Sequence, residues 1–330
     1  MDAHVSLLAL GITFVLVLAI TTAAGAPTIG ALKGISFRQT AYEDAPKTHA
    51  KKSGTPTMGG LLFIIALVGA VIADPGRETF ALLGIGTCCG LVGFIDDYTS
   101  VRRGRNRGLR ARPKFLATAV VAALFLIAIT YSAPAGATLP VGTVFSSGDL
   151  FGRVRVVAPY AIWFALSLLA ILATTHAVNL TDGLDGLAGG TMIPPLAVVA
   201  WIGWHSGASG VAFVAVATIA ALVGFLVYNR HPARVFMGDT GALLLGGVLA
   251  GSVVLTGTQL LLPLIGGVFA AEALSVIIQV LYFKRTHKRI FRMSPLHHHF
   301  ELGGWPETKV TTRFWTASAL LSLVGLAIVR

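Results

Sequence analysis

The chain has 330 residues, of which 55% are hydrophobic and only 12% charged, and its mean hydropathy is +0.79. A soluble domain carries about 25% charged residues, so these values exclude an ordinary soluble protein and indicate apolar segments that face lipid. The net charge of +11 does not require a nucleic acid as partner, because basic loops beside anionic lipid head groups account for it. We expect a single transmembrane domain over residues 1–330.

Ten apolar segments approach the length of about 20 residues that a helix needs to cross a bilayer. They are 3–29, 57–73, 79–98, 113–131, 156–177, 187–205, 210–228, 241–257, 259–283 and 312–329. The first is interpreted as a spanning helix and not as a removed signal peptide, because no basic leader precedes it. The ninth contains Pro263, Gly266 and Gly267, which predict a broken or bent helix. The predicted fold class is therefore all-α and polytopic.

The basic residues predict the orientation of these segments. Alternate connections, together with Arg313 at the start of the last segment, hold 21 of the 25 Lys and Arg residues. These connections are 30–56, 99–114, 178–186, 229–240 and 284–311. Because cytoplasmic loops carry the excess of Lys and Arg, this set is predicted to be cytoplasmic and both termini extracytoplasmic. The longest connection on the outer side, 132–155, is rich in Gly, Ser and Pro and is compatible with a small β-hairpin.

Five of the 14 acidic residues are predicted to lie at cytoplasmic helix ends. They are Asp96, Asp97, Asp182, Asp185 and Asp239. Ionisable groups at membrane depth are costly and usually serve a function. Two adjacent carboxylates at a helix C-terminus are electrostatically disfavoured, so Asp96 and Asp97 need a positive partner. That partner is either a metal ion or an arginine of the following loop, such as Arg102 or Arg103.

The other three acids have both a structural and a functional interpretation. Asp182 and Asp239 each precede an apolar segment and could be ordinary helix N-caps. An N-cap does not explain Asn179 or Asp185, which share one face with Asp182 if that segment is helical. The functional interpretation of Asp239 is a Mg²⁺ ligand, because hard cations prefer carboxylate oxygens and share their shell with substrate phosphates.

Polar residues near the end of the chain form a second candidate group. Three successive histidines, His297, His298 and His299, diverge too far to bind one zinc ion on a helix. They are better suited to hydrogen bonding or acid–base work beside a diphosphate, and a solvated loop is the alternative. Glu272 and Gln279 share a face of the ninth segment, where they bond to neighbouring helices or line a cavity.

Six motifs in order resemble those of the phospho-N-acetylmuramoyl-pentapeptide-transferase (translocase I) family. They are KKSGTPTMGG, GFIDDY, GLRARPKF, NLTDGLDGLAGG, FMGDTGALLLGG and SPLHHHFELGGWPETKV, between about residues 33 and 315. The tract PLHHHFE separates this family from its relatives in the polyprenyl-phosphate N-acetylhexosamine-1-phosphate transferase superfamily. The resemblance implies a bacterial inner-membrane enzyme with its active site on the cytoplasmic face. Such enzymes use Mg²⁺ to make lipid I and UMP from UDP-N-acetylmuramoyl-pentapeptide and undecaprenyl phosphate.

The resemblance also implies roles for individual residues. Asp96, Asp97, Asp239 and His298 match catalytic positions, with Asp239 as the metal ligand. The positions that match substrate-binding residues are Lys52, Thr57, Lys114, Asn179, Asp182, Asp185, Asn229, Phe236, His297 and His299. From composition alone, Lys52 and Lys114 could equally be anchors at the membrane interface. The partners expected are the two substrates and membrane lipid; a homodimer is compatible with this interpretation, although the sequence does not determine the oligomeric state.

The sequence is also compatible with two other functions. One is a sister transferase that moves N-acetylglucosamine-1-phosphate from UDP-N-acetylglucosamine to a polyprenyl phosphate. The other is a secondary transporter with a broken helix and buried acids. Transporters place such charges near the middle of the bilayer, whereas the acids here are predicted to lie at one face, which argues against transport.

Overall fold

The structure is a computed structural model of the chain. It describes residues 6–34, 54–103, 108–131, 140–146, 152–157 and 159–329. Lys52 lies outside these residues, so its predicted role has no structural counterpart here. Apart from one pair of strands, the regular elements of the described residues are helical, which confirms the all-α class.

The described residues form twelve α-helices. They are α1 (Leu7–Gly34), α2 (Ile64–Ala73), α3 (Arg77–Arg102), α4 (Ala111–Tyr131), α5 (Tyr160–Thr181), α6 (Leu187–Ser206), α7 (Ser209–Asn229), α8 (Gly238–Leu255), α9 (Leu262–Ile265), α10 (Gly267–Thr286), α11 (Leu296–Glu301) and α12 (Glu307–Val329). Short 3-10 turns, Gly59–Phe63 and Gln259–Leu261, precede α2 and α9.

Nine helices within the described ranges are long and apolar enough to cross a membrane. The second predicted segment, 57–73, becomes a shorter apolar helix, Gly59–Ala73, whose first turn is 3-10. The predicted break in the ninth segment is confirmed. The chain forms the 3-10 turn and α9, then passes through Gly266 before α10 begins at Gly267. Pro263 stands in the first turn of α9, where the missing amide proton costs nothing.

The centre of the bundle is α8, which packs most extensively against α3 and α5. In its most apolar stretch 83% of the residues are buried, against 22% in α1, α4 and α12, so these three lie at the lipid-facing periphery. Close packing of these helices depends on small residues. Apolar side chains contact lipid tails as favourably as they contact another helix, whereas small residues let two helix backbones approach each other. A Cβ on Gly246 would lie 2.5 Å from Cα of Thr175, and one on Gly60 would lie 2.1 Å from Cα of Gly241.

The hairpin predicted in the outer connection is confirmed. Strands β1 (Pro140–Ser146) and β2 (Gly152–Val157) pair antiparallel, with an irregularity in register near Pro140. The hairpin joins the C-terminus of α4 to the N-terminus of α5. The opposite ends of these helices meet the C-terminus of α3 and the N-terminus of α8. The predicted polar site is therefore gathered at a single end of the bundle, away from the hairpin.

Candidate active site

Asp239, in the first turn of α8, is the centre of a polar cluster. Its Oδ1 accepts a hydrogen bond of 2.6 Å from Nδ2 of Asn179, and its Oδ2 accepts one from Nζ of Lys114. Nζ of Lys114 also donates to Oδ1 of Asn179 at 3.0 Å and lies 3.8 Å from Oδ2 of Asp96. Oxygen atoms from α3, α5 and α8 thus surround one positive charge supplied by α4, as the predicted convergence requires.

Asp96 is held in place by the segment that follows α3. Its Oδ1 accepts the backbone N–H of Leu109 at 2.7 Å, and Oδ2 faces Lys114. Gly108 lies against the same carboxylate, since a Cβ there would be 2.5 Å from Oδ2 of Asp96. In the part of the chain that the structure describes, Asp96 therefore turns to Lys114 rather than to Arg102 or Arg103.

Asp97 caps the N-terminus of α8 from the neighbouring helix. Its Oδ1 accepts the amide of Asp239 at 3.1 Å, and its Oδ2 accepts the amide and the hydroxyl of Thr240 at 3.0 and 2.6 Å. A carboxylate at a helix N-terminus satisfies amides that have no partner within the helix and lies at the positive end of the helix dipole. Asp97 therefore fixes the backbone that carries Asp239, and its carboxylate is turned to α8.

Glycines allow α3 and α8 to approach this closely. A Cβ on Gly93 would lie 2.1 Å from the carbonyl oxygen of Asp239. Gly238, with φ of +73°, has the left-handed backbone that glycine adopts without strain, and a Cβ there would lie 2.5 Å from Oδ2 of Asp97 and 2.8 Å from Oγ1 of Thr57. Thr57 is buried, and within the described structure its hydroxyl has no hydrogen-bond partner. The predicted position of Thr57 beside the acidic cluster is thus observed.

Asp182 follows directly after α5 and ends that helix, with its amide bonded to the carbonyl of Asn179 at 3.3 Å. It is not an N-cap of α6, which begins at Leu187 after Gly186. Removal from water raises the pKa of the Asp182 carboxyl to about 8, and the negative charges of Asp239 and Asp97 act in the same direction. Asp182 therefore lies within the electrostatic influence of Asp239 and Asp97.

Asp185 lies in a separate cluster, contrary to the expectation that it shares a face with Asn179 and Asp182. Because the helix ends at Thr181, the chain turns, and Oδ2 of Asp185 accepts the amide of Ala233 at 3.0 Å and contacts Nδ1 of His231 at 3.0 Å. Its own amide donates to Oε1 of Glu307 at 2.6 Å. Asp185, His231 and Glu307 have potential metal-ligand atoms that all lie within 4.8 Å of one another. Within the described residues, this is the one group of acids and histidines with that geometry. Their contacts are hydrogen bonds that join the α5–α6 turn to α12.

Asn229 and Phe236 flank this second cluster. Oδ1 of Asn229 accepts the amide of Gly186 at 3.1 Å, and its Nδ2 donates to the carbonyl of Val235 at 2.9 Å, so this buried side chain joins two backbone segments. Phe236 is pinned through its backbone, which donates to the carbonyl of Pro56 at 2.8 Å and accepts from the amide of Gly59 at 2.9 Å. Phe236 is half-buried.

The three predicted histidines have three different environments. His297, which is 1% exposed, places Nδ1 3.0 Å from Oε1 of Glu272, and its Nε2 faces Gly183. His298 contacts Glu301 at 3.2 Å, and its ring centroid lies 4.2 Å from that of His297. Nδ1 of His299 accepts the amide of Arg292 at 3.1 Å, so this ring fastens the loop before α11.

Sequence reasoning did not connect His231 and Glu307 with Asp185, and it left the role of Glu272 and Gln279 open. A lone histidine in a polar loop carries no signal of its own, and Glu307 looks like an acidic residue in the first turn of α12. Glu272 and Gln279 did show a signal, because two buried polar residues seven positions apart lie on one helical face. The structure shows that this face holds the histidine-bearing loop: Oε1 of Gln279 accepts the amides of Ile290 and Phe291, both at 3.0 Å.

The donor set of the first cluster fits a magnesium ion. Asp239, Asp96 and Asn179 offer oxygen atoms, which are the ligands that Mg²⁺ prefers. In the structure the ammonium group of Lys114 occupies the position between these oxygens and stands in for a cation there. The triad of Asp185, His231 and Glu307 offers two carboxylates and a nitrogen that already bond to one another. The first cluster is therefore the better candidate.

Comparison with known sequences defines the class of protein. The sequence model described as "Glycosyl transferase family 4" matches residues 79–257, more than half of the chain. This match covers α3 to α8, and thus Asp96, Asp97, Lys114, Asn179 and Asp239. The fold and the site therefore define a polytopic membrane protein of this glycosyl transferase family.

Its relatives narrow the class further. The signature described as "Phospho-N-acetylmuramoyl-pentapeptide-transferase signature 1" matches residues 52–64. A curated relative of that name from Desulforamulus reducens is 45% identical, and the match covers 99% of this chain and 96% of the relative. Another, from Heliobacterium modesticaldum, is 44% identical, and the match covers 89% of this chain and 90% of the relative. The relative from Rubrobacter xylanophilus is 42% identical, and the match covers 93% of this chain and 92% of the relative. The chain belongs to the phospho-N-acetylmuramoyl-pentapeptide-transferase family.

Proposed function

We propose that the chain transfers phospho-N-acetylmuramoyl-pentapeptide from UDP-N-acetylmuramoyl-pentapeptide to undecaprenyl phosphate, which gives lipid I and UMP. The whole chain, 1–330, acts as one transmembrane transferase domain. The observation that carries the proposal is the convergence of Asp96, Lys114, Asn179 and Asp239 at one end of a membrane bundle. Full-length relatives of that name support it.

The location of the cluster suits the two substrates. One substrate is dissolved in water and the other is anchored in the bilayer, so their phosphates can meet only at a membrane–water interface. The cluster lies at the helix ends that the distribution of Lys and Arg assigns to the cytoplasm. We therefore propose the bacterial inner membrane as the location, with the site at its cytoplasmic face.

The reaction requires an oxygen of the lipid phosphate to bond to the β-phosphorus of the UDP-sugar. The bond between that phosphorus and the oxygen bridging to the α-phosphorus breaks, and UMP leaves with the electron pair. Phosphoryl transfer depends chiefly on positioning and charge neutralisation. In this proposal Lys114 holds the phosphates, and Asp96 accepts the proton of the lipid phosphate where it is still monoprotonated. The dianion, which predominates above about pH 6, needs no base.

Asp239 would hold a magnesium ion, with Asp96 and Asn179 beside it. When bound, the ion neutralises charge on the diphosphate and stabilises the leaving group. In this proposal Asp97 is a positioning residue, because both of its oxygens bond to the start of α8. Asp182, Phe236 and Thr57 then border the nucleotide side of the cleft, and the histidine tract approaches it through Gly183.

The proposal is tested by UMP release from purified protein, Mg²⁺, the muramoyl nucleotide and polyprenyl phosphate. We expect turnover with this nucleotide and none when either substrate is omitted. Asp239→Asn, purified folded and assayed at saturating Mg²⁺, should lose at least about 100-fold in kcat, in the range known for a lost transition-state contact. Near-wild-type turnover by this variant would remove the metal assignment.

The sister transferase is separated by its donor in the same assay. Release of UMP with UDP-N-acetylglucosamine, and none with the muramoyl nucleotide, would replace the proposal with that activity. A phospho-enzyme formed from the UDP-sugar alone would replace direct attack by a two-step route. A homodimer is not part of the proposal, because no observation on the described residues supports it.

A further inference from the structure

The buried pair of Glu272 and His297 is not used by the chemistry described above. Glu272, on α10, is 0% exposed and His297, at the start of α11, is 1% exposed. Oε1 of Glu272 accepts a hydrogen bond of 3.2 Å from the backbone amide of His297 and lies 3.0 Å from Nδ1 of the same residue. A carboxylate only accepts hydrogen bonds, so the pair forms a second hydrogen bond when Nδ1 carries the proton.

The opposite edge of the His297 ring faces the turn that contains Gly183. Nε2 would lie 2.3 Å from a Cβ at position 183, so only glycine leaves room for the imidazole there. In the described structure Nε2 of His297 is buried and has no hydrogen-bond partner. Gly183 follows Asp182, which lies within the electrostatic influence of Asp239. A buried polar nitrogen without a partner is costly, and here it faces the turn at which the soluble substrate is proposed to bind.

Gln279, on the same face of α10, explains how the loop that carries His297 is held in position along α10. Gln279 accepts the amides of Ile290 and Phe291 and donates to the carbonyl of Phe291 at 3.2 Å. This side chain holds the start of the loop, and Glu272 holds its end. The two contacts are about two helical turns apart, so they fix the loop along the axis of α10.

We propose that Glu272 is a positioning residue that orients His297, so that Nε2 of the imidazole meets the diphosphate of the soluble substrate at the 182–183 turn. The inference rests on the proposed function and deepens it. The carboxylate holds the tautomer and the angle of the ring, as carboxylates do for histidines in other sites. His297 itself touches the substrate and is the catalytic residue of the pair.

A graded series at position 272 tests the proposal through kcat and KM. Glu272→Gln keeps an acceptor but loses the charge, and Glu272→Met fills the space without an acceptor. Charge-assisted hydrogen bonds are about twice as strong as neutral ones, and outer-shell partners typically contribute about 10- to 100-fold. We expect kcat to fall about 3- to 10-fold for Gln and about 10- to 100-fold for Met, with KM for the nucleotide changed less than about 3-fold. Unchanged kcat in either folded variant would overturn the proposal.

A double-mutant cycle distinguishes action through His297 from a general structural effect. In a His297→Asn background, Glu272→Met should cause no further loss of kcat, because the ring that it orients is absent. Full additivity of the two losses would contradict the proposal. Ser275→Ala is the matched control. Ser275 is also buried on α10, but its hydroxyl donates to the backbone carbonyl of Glu272 at 2.7 Å and not to the side chains of the pair. This variant should keep its kcat.

A spectroscopic readout makes failure of this inference distinguishable from failure of the proposed function. Histidine labelled with ¹⁵N reports which ring nitrogen carries the proton, and His297→Asn assigns the signal. We expect Nδ1 of His297 to be protonated in the wild type and the tautomers to mix in Glu272→Met. An Nδ1 without a proton in the wild type would overturn the inference, even in an active enzyme. If the wild type released no UMP from either nucleotide, the proposed function would fail while this measurement still tested the pair.

Discussion

The substitution Asp97→Asn separates positioning from direct catalysis at the acidic pair. The carboxylate of Asp97 accepts three hydrogen bonds of 2.6 to 3.1 Å from Asp239 and Thr240. An amide replaces one oxygen by an N–H donor, which then faces another donor. Losing a helix cap typically costs about 1 kcal/mol, and an unsatisfied buried group costs about 1 to 3 kcal/mol. We therefore expect Asp97→Asn to lose about 2 to 4 kcal/mol of stability.

The same change should reduce activity through the displaced start of α8. A misplacement of about 1 Å can cost about 100-fold in rate, and Asp239 is the residue whose amide loses its partner. Each kcal/mol corresponds to a shift in Tm of about 2 °C at the low end of the range for large domains. We thus expect Tm in detergent to fall by about 4 to 8 °C, together with kcat. Asp239→Asn, the comparison variant, should lose kcat without a comparable loss of Tm. An Asp97→Asn protein with wild-type Tm but no turnover would refute the capping argument and restore a direct catalytic role.

Three further predictions concern charge and packing around the same cluster. Lys114→Met should bind Mg²⁺ about tenfold more tightly or better, because an ammonium no longer competes for the oxygens of Asp239, while turnover falls; calorimetric titration measures the affinity. Gly93→Ala should lower activity by at least about tenfold, because its Cβ would lie 2.1 Å from the carbonyl oxygen of Asp239. Gly84→Ala is the matched control, because a Cβ there has nothing within 4 Å. Glu307→Gln should lower Tm by about 2 to 4 °C, since it weakens a charge-assisted bond of 2.6 Å, and differential scanning fluorimetry checks it.

Specific outcomes would contradict these three predictions. Weaker Mg²⁺ binding by Lys114→Met would mean that the lysine organises the oxygens instead of competing with the ion. Equal activity of Gly93→Ala and Gly84→Ala would mean that α3 and α8 separate without moving Asp239. A Glu307→Gln protein with the wild-type Tm would mean that the bonds between α12 and the α5–α6 turn contribute no net stability.

Much of the fold could be predicted because a membrane restricts the choices. Without water in the bilayer core, apolar segments must be helices there, so hydropathy alone located nearly every span. The break at Gly266 followed from the breakers Pro263 and Gly267. The segment 57–73 was predicted, but its 3-10 start was not, because Gly59 and Gly60 donate backbone bonds to Phe236 and Met237 from a distant part of the chain. No local pattern shows such a partner.

The candidate site was predictable where helix ends determine it and not where turns do. Asp96, Asn179 and Asp239 meet because connections of one set lie at one end of the bundle. Asp185 departs from this group because α5 ends at Thr181, and Gly186, with φ of +74°, turns the chain toward α12. The sequence predicts a one-face arrangement only if the helix continues, and the decisive contact with Glu307 spans 122 residues.

The residues around Asp239 and the residues around His297 are held in place by different kinds of contact, and this difference can be measured. The half around Asp239 depends on backbone contact at Gly93, whereas the half around His297 depends on the directional bond to Glu272. The two supports share no partner among the described residues. Gly93→Ala and Glu272→Met should therefore raise the activation free energy additively, within about 0.5 kcal/mol. Glu272→Met and His297→Asn, which remove the same interaction, should not be additive. A strong coupling between Gly93→Ala and Glu272→Met would show instead that α8 and α10 hold a single rigid site, in which displacement of either helix moves both halves.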